Sequence, residues 1–456
     1  CISLFFPRVR LSRRSWCYPD VARSSKCDDS GTGGSEVKMS LEVHISEPDE
    51  FNCLELHSSI TEVAHAKGIN DFEYNVDCIS GKKENYIANV FRVEIKDTES
   101  DKNNISVIVK TLVNTERQVL FHKLHEREVI AYKNVISKFK HLQNVLYEHE
   151  RLVLSDCLFS STENSNEIII LEDLRIDGYD IDGNLAKYEY LEVKEISVVL
   201  SELAKFHALS FVFENKDPER FDEVKSEFHD LLYQNHFLNK SKLRNYFIES
   251  FEMSLKQVTD ENAKKKLRKV HNKLLEMLQM YTQPGRTNVL CHGDCWVNNM
   301  LFKHEVKLER VLCFIDFQAM RYANPVTDLM YFLFICTDSV FRSEHFEMLK
   351  IIYYDHFKVF LNKFDINADS VYKREDFNAD IEEFLPYGLL IAMIELRIVA
   401  MTPEDESILR GSTLQLNLDL SEVARENELF KFRVNDVVKE AVDNGVLDRL
   451  LEKINT

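Results

Sequence analysis

Glycine and proline are scarce in this chain, at 12 and 8 of 456 residues, which argues against long low-complexity linkers. No Cys-x-x-Cys pair occurs among the ten cysteines. Cys291 and Cys295 flank one short motif, but no second Cys/His pair completes a zinc set. Reduced, buried thiols in a cytoplasmic protein are the expectation. A long uninterrupted apolar run is missing too. The best stretch, 387–401, carries Glu395 and Arg397 and reads as a core helix, so no membrane span is expected. Positive charge is in deficit: 57 Lys and Arg face 76 Asp and Glu, a net charge of -19. A nucleic acid or an anionic membrane would be repelled, so neither is an expected partner.

What is present fits a folded globular chain: 45% hydrophobic and 29% charged residues. Its length exceeds a single compact core, so two lobes are expected. Residues 1–38 stand apart, with Arg8, Arg10, Arg13, Arg14 and Arg23, few early acids and no initial Met. A transit peptide is one reading. The reading preferred here is a disordered leader, or sequence upstream of a start at Met39.

From 71 to 111 the pattern is strand-like. Residues 85–95 are rich in β-branched and aromatic side chains, 96–104 supply a polar turn, and 105–112 read as the returning strand. Helical spacing follows over 118–139, where Phe121, Leu124, Val129, Tyr132 and Ile136 share a face. Further strand signals lie at 151–154 and 167–171. After Asp173 the character changes. A long apolar-periodic helix is expected over 193–213 and more helices over 221–280. Two short strand-like pieces lie within 289–302 and 311–317, and helices continue beyond Pro325 apart from a loop near 402–405. The expected fold is therefore α+β and two-lobed: a small N-terminal lobe (39–173) with an antiparallel sheet and one main helix, and a larger, mostly helical C-terminal lobe (174–456). Amphipathic helices serve cores and interfaces alike, so the sequence assigns no oligomeric state.

Two motifs carry chemistry. Cys291-His292-Gly293-Asp294-Cys295-Trp296-Val297-Asn298-Asn299 is a short polar loop between apolar segments, the setting where a fixed carboxylate and amide meet a ligand. In Val311-Leu-Cys-Phe-Ile-Asp316-Phe-Gln318 a carboxylate directly follows a buried apolar strand. Such a group is expensive to bury unless it is paired, hydrogen-bonded or bound to metal. Together they reproduce the logic of ATP-dependent phosphoryl transfer: one Asp accepts a hydroxyl proton, while an Asn and a second Asp hold magnesium.

His-Gly-Asp-x-x-x-x-Asn followed by Ile-Asp-Phe-Gln resembles the aminoglycoside phosphotransferase and choline kinase superfamily. With Arg321, Pro325, Asp328 and Leu329 added, the pattern is most similar to the ecdysteroid kinase-like family, also described as CHK kinase-like. The resemblance covers about 51–427, with the family core at about 170–360, and implies a protein kinase-like fold. It implies ATP and Mg2+, Asp294 as catalytic base, and Asn299 and Asp316 as metal ligands. Lys110 would contact the α- and β-phosphates and pair with Glu128. Glu172, Asp173 and Leu174 would form the adenine-reading hinge, and Asn85 would sit in the phosphate-covering loop (81–89). That loop departs from the family, with one Gly and with Ala88 where relatives often carry Ser. His292, Asp328 and Arg321 would support the site. Trp296 either lines the substrate site or packs.

Rival assignments stand beside these. A lone strand Lys is usually an edge or snorkelling residue. Glu126 competes with Glu128, and Asn298 adjoins Asn299. His207 reads as a core histidine held by a backbone or carboxylate partner. The implied function is phosphorylation of a hydroxylated small molecule, an ecdysteroid or another lipophilic alcohol. Choline or ethanolamine is an alternative, as is a non-catalytic nucleotide-binding module. A protein kinase is disfavoured by Asp-Phe-Gln, by the missing Ala-Pro-Glu segment and by the short span from Phe317 to Pro325.

Overall fold

A computed structural model of the chain describes residues 45–46, 55–78, 88–99, 103–112, 116–180, 191–241, 243–303, 311–400 and 428–455. The expected leader over 1–38, Asn85 with most of the phosphate-covering loop, and the loop at 402–405 lie outside the described residues.

β1 (Ile45–Ser46) precedes α1 (Leu56–Ala66), which buries Leu56, Ile60, Val63 and Ala64 at i, i+4, i+7, i+8 spacing. The sequence reading passed over this helix. β2 (Phe72–Cys78), β3 (Ala88–Asp97) and β4 (Ile105–Leu112) follow, as the pattern over 71–111 predicts. α2 (Glu116–Ile130) continues through a π-helical turn (Ala131–Ile136) into α3 (Ser137–Leu142). Its expected apolar face is buried, from Phe121 to Ile136. Residues 151–154 form no strand. They make one isolated bridge, Val153 to Cys313. The reason is local: the Gln143 side chain takes both backbone groups of Leu152, accepting from its N–H at 2.7 Å and donating to its carbonyl at 3.3 Å. The ladder is made instead by β5 (Cys157–Ser161) and β6 (Ile168–Glu172).

These strands form one sheet in the order β1-β2-β3-β4-β6-β5, antiparallel throughout except for the parallel edge pair β1–β2. Alternation along the strands divides two surfaces. Phe91, Val93, Val107, Val109, Ile168 and Ile170 pack on α1, while Leu112, Ile169 and Leu171 join the core around α2 and α4. Lys110 shares the parity of Leu112 and stands between Val90 of β3 and Ile169 of β6. It is therefore a central residue of the sheet, not an edge lysine.

After the two-residue β7 (Tyr179–Asp180) the chain is mostly helical: α4 (Val193–Lys216), α5 (Pro218–Glu227), α6 (Asn235–Ser241), α7 (Leu243–Gln257), α8 (Glu261–His271) and α9 (Leu274–Thr282). Two small ribbons interrupt it. β9 (Met300–Lys303) lies between β7 and β10 (Val311–Phe314), and β8 (Val289–Cys291) pairs with β11 (Arg321–Ala323). Then come α10 (Val326–Cys336), α11 (Ser339–Asn362), α12 (Ala368–Val371), α13 (Arg374–Val399), α14 (Glu428–Asp443) and α15 (Val446–Asn455).

One expectation is corrected here. α4 is long and apolar enough to cross a membrane by length and composition, whereas the sequence reading found no such run. Most of α4 is buried, and it packs along α11, so it serves as the central helix of the lobe. Every residue of α10 is buried as well. Gly388 of α13 admits this close packing, since a Cβ there would lie 2.5 Å from the Phe334 ring. The fold is α+β and two-lobed, a small sheet-based lobe followed by a larger, mostly helical one.

Candidate active site

The two ribbons bring the chemistry-bearing loops together. β8 ends at Cys291, and residues 292–299 cross to β9; β10 ends at Phe314, two residues before Asp316. The Ile315 N–H donates to the Asn299 carbonyl at 3.0 Å, tying one loop to the other. Gly293 has φ +88°, and a Cβ at this position would lie 2.0 Å from the Ala319 carbonyl oxygen. Only glycine fits so tight a crossing.

Asp328, in the first turn of α10, holds the loop from below. Its carboxylate accepts from the N–H of His292 at 2.6 Å and of Gly293 at 2.9 Å. Burial opposes its ionisation, but the hydrogen bond with His207 and the charges around it, Arg321 among them, together hold its pKa below the usual carboxylate range. His207 contacts Asp328 Oδ2 at 3.2 Å and the Tyr353 hydroxyl at 2.7 Å, the core role expected of it. His292 Nδ1 accepts from the Asp294 N–H at 3.3 Å, so its proton sits on Nε2, which donates to the Ile315 carbonyl at 3.0 Å. Burial lowers its pKa and keeps the ring neutral. Arg321 donates to the Gly293 carbonyl at 3.1 Å and to the Tyr387 hydroxyl at 3.2 Å.

At the centre Lys110 Nζ lies 2.5 Å from Glu128 Oε2 and 3.0 Å from Asp316 Oδ1, all three side chains being buried. Burial works against the lysine's charge, yet Asp316 and Glu128 prevail and its pKa is raised. Glu126, the rival for this pairing, reaches Lys123 on the outer face of the same helix instead. Asp316 adopts φ 68°, ψ 70°, a left-handed conformation that turns its carboxylate back toward the sheet. Burial pushes its pKa up; Lys110 opposes this, while Glu128 and Asp294 add to it. Among the described residues, the Lys110 ammonium faces the Glu128 and Asp316 carboxylates, with Asp294 near enough to act on Asp316.

Asn299 donates from Nδ2 to the Asp294 carbonyl at 2.8 Å and to Asp294 Oδ2 at 3.2 Å. Its Oδ1 is buried without a hydrogen-bond partner. An orphaned amide oxygen beside buried carboxylates is a donor set that suits a hard divalent cation.

The remaining sequence candidates are more dispersed. Glu172 ends β6 in register with Val107. The Asp173 carboxylate is committed to structure, accepting from Arg92 Nε at 2.7 Å, Ser106 Oγ at 2.8 Å and the Arg175 N–H at 3.2 Å. Leu174 is buried at the start of the next turn. Trp296 is buried in the main core. Cys157, Cys291, Cys295, Cys313 and Cys336 are free thiols, all but Cys157 buried.

Some residues at the site were given no role in the sequence analysis. Gln318 Nε2 donates to Asp316 Oδ2 at 3.1 Å. Arg127 donates to the Met320 carbonyl at 2.8 Å, fixing α2 to the segment after Asp316. Tyr331 places its hydroxyl 2.5 Å from Asp294 Oδ1. The available signal for Tyr331 was a phenol three residues beyond Asp328 within an otherwise apolar helix.

The site thus brings together Asp294 with Asn299, and Asp316 with the Lys110–Glu128 pair. The ecdysteroid kinase-like family matches residues 82–366, and the chain belongs to that family of small-molecule kinases. Comparison with proteins of curated function gives no match. Similar solved structures include an ethanolamine kinase of Plasmodium vivax, 13% identical, with a TM-score of 0.39, covering 88% of this chain and 90% of that one. The GDP complex of a wild-type aminoglycoside 2'-phosphotransferase IIIa is 11% identical, with a TM-score of 0.36, covering 86% and 99%. The macrolide 2'-phosphotransferase of Brachybacterium faecium is 12% identical, with a TM-score of 0.35, covering 80% and 98%.

Proposed function

We propose that the protein transfers the γ-phosphoryl group of ATP, with magnesium, to a hydroxyl of a small molecule, an ecdysteroid or another lipophilic alcohol. The observation that carries this reading is the meeting of Lys110, Glu128 and Asp316 in one buried site whose loop also holds Asp294 and Asn299. The choice of an ecdysteroid-like acceptor rests on family membership.

In this reading Glu128 keeps Lys110 charged and aimed at the α- and β-phosphates. Residues 172–174 would present backbone groups to adenine, and Asn85 belongs to the phosphate-covering loop. Asn299 Oδ1 and the Asp316 carboxylate would hold magnesium, which when bound neutralises charge on the phosphates. Asp294 receives the proton of the acceptor hydroxyl as that oxygen bonds to the γ-phosphorus. The bond from the γ-phosphorus to its bridging oxygen breaks, and ADP leaves with the electron pair. His292, Asp328 and Arg321 hold the loop in place, so the reacting groups need little reorganisation.

The test is ADP release by purified protein with ATP and magnesium, over a panel of 20-hydroxyecdysone, cholesterol, choline, ethanolamine and kanamycin. Turnover on the sterol alcohols supports the reading. Turnover on choline or ethanolamine replaces the acceptor class. Magnesium-dependent ATP binding with silence across the panel favours a binding module instead.

A further inference from the structure

The mechanism above leaves one buried hydroxyl at the reacting carboxylate without a role. Tyr331 is 3% exposed and directs its phenol to Asp294 Oδ1 at 2.5 Å, while Asn299 occupies Oδ2 at 3.2 Å. The two oxygens of Asp294 are thus held from opposite sides, which fixes the rotation of the carboxylate.

The origin of this contact is a single helix. Asp328 and Tyr331 lie three residues apart, one turn along α10, on the same face. Asp328 grips the backbone N–H groups of His292 and Gly293, and Tyr331 grips the side chain of the next residue, Asp294. One fully buried helix therefore sets both the path of the loop and the aim of its carboxylate. Burial and the neighbouring Asp294 and Glu395 charges raise the phenol's pKa, so it remains a hydrogen-bond donor. Tyr246 donates to Glu395 Oε2 at 2.8 Å, a second buried tyrosine–carboxylate pair.

We infer that Tyr331 is a positioning residue for phosphoryl transfer, holding the Asp294 carboxylate in the rotation from which it takes the acceptor's proton. This rests on the reading of Asp294 as the base. A structural tyrosine would affect folding alone; a positioning tyrosine acts on turnover, and only through Asp294.

The experiment is a two-residue cycle of Tyr331→Phe, Asp294→Ala and the double variant. ADP release is measured with whichever panel acceptor turns over, and melting temperature with no acceptor present. Tyr331→Phe, which removes one oxygen and keeps the ring, is expected to lower kcat about tenfold or more with KM for ATP unchanged. In the Asp294→Ala background the same change is expected to have no further effect on turnover. The melting temperatures are expected to be non-additive, the double variant losing less than the sum. Wild-type kcat in Tyr331→Phe beside an inactive Asp294→Ala overturns this inference and leaves the base intact. Full turnover in Asp294→Ala overturns the base assignment itself. If Tyr331→Phe does not fold, 3-fluorotyrosine at position 331 serves in its place. It keeps the ring and strengthens the donor, and an unchanged kcat there counts against the inference.

Discussion

Lys110 and Asp316 stand 206 residues apart in the chain and meet at 3.0 Å, on facing surfaces of the sheet lobe and the helical lobe. The contact depends on both β4 and the turn after β10, so it reports the closure of one lobe on the other. Because Glu128 takes the same ammonium at 2.5 Å, the lysine is held from two directions.

Lys110→Ala is expected to raise the ATP requirement about tenfold or more by removing a fixed positive charge near the phosphates. Glu128→Ala is expected to act in the same direction, because it frees the lysine. Glu126→Ala, which breaks an exposed pair with Lys123, is expected to leave kinetics unchanged. Steady-state kinetics over ATP concentration checks all three, and equal behaviour of the two glutamate variants would refute the pairing.

Asp294→Asn preserves shape and removes the proton acceptor. Turnover is expected to fall about a hundredfold or more while ATP binding persists. Calorimetric titration beside ADP release separates the two, and wild-type-like turnover would reject the base.

Asp316→Ala removes a carboxylate proposed to hold magnesium and also one partner of Lys110. ATP affinity measured with magnesium is expected to drop, and the difference between magnesium and chelator to shrink. If affinity and its magnesium dependence both stay at wild-type values, Asp316 does not hold the metal.

Gly293→Ala places a methyl group 2.0 Å from the Ala319 carbonyl and asks alanine to adopt φ +88°. A destabilisation of about 3 kcal/mol is expected. Denaturant unfolding checks it, and an unchanged midpoint would mean that the loop can relax. Gly285, with open space around its Cβ position, is the control.

Much of this was legible in the sequence because it is local. β-Branched and aromatic residues on either side of a polar turn marked β3 and β4, and helical spacing marked α2 and α4. The loop from His292 to Asn299 announced itself as polar residues set between apolar ones. Failures have equally local causes. The strand expected at 151–154 is lost to the Gln143 side chain, which competes for the backbone of Leu152. α1 is short, and its apolar stripe becomes visible only against the sheet it covers.

The sequence by itself determined the chemical inventory: which carboxylates, which amide and which lysine, and the family to which they belong. Tertiary structure decided the partnerships. It chose Glu128 over Glu126, because helix phase turns one inward and the other toward Lys123. It left the Oδ1 of Asn299 orphaned. It brought Tyr331 to Asp294 through a helix that reads, residue by residue, as ordinary core. Residue types and local periodicity are written along the chain, but a hydrogen bond between distant segments exists only once packing has fixed two surfaces against each other.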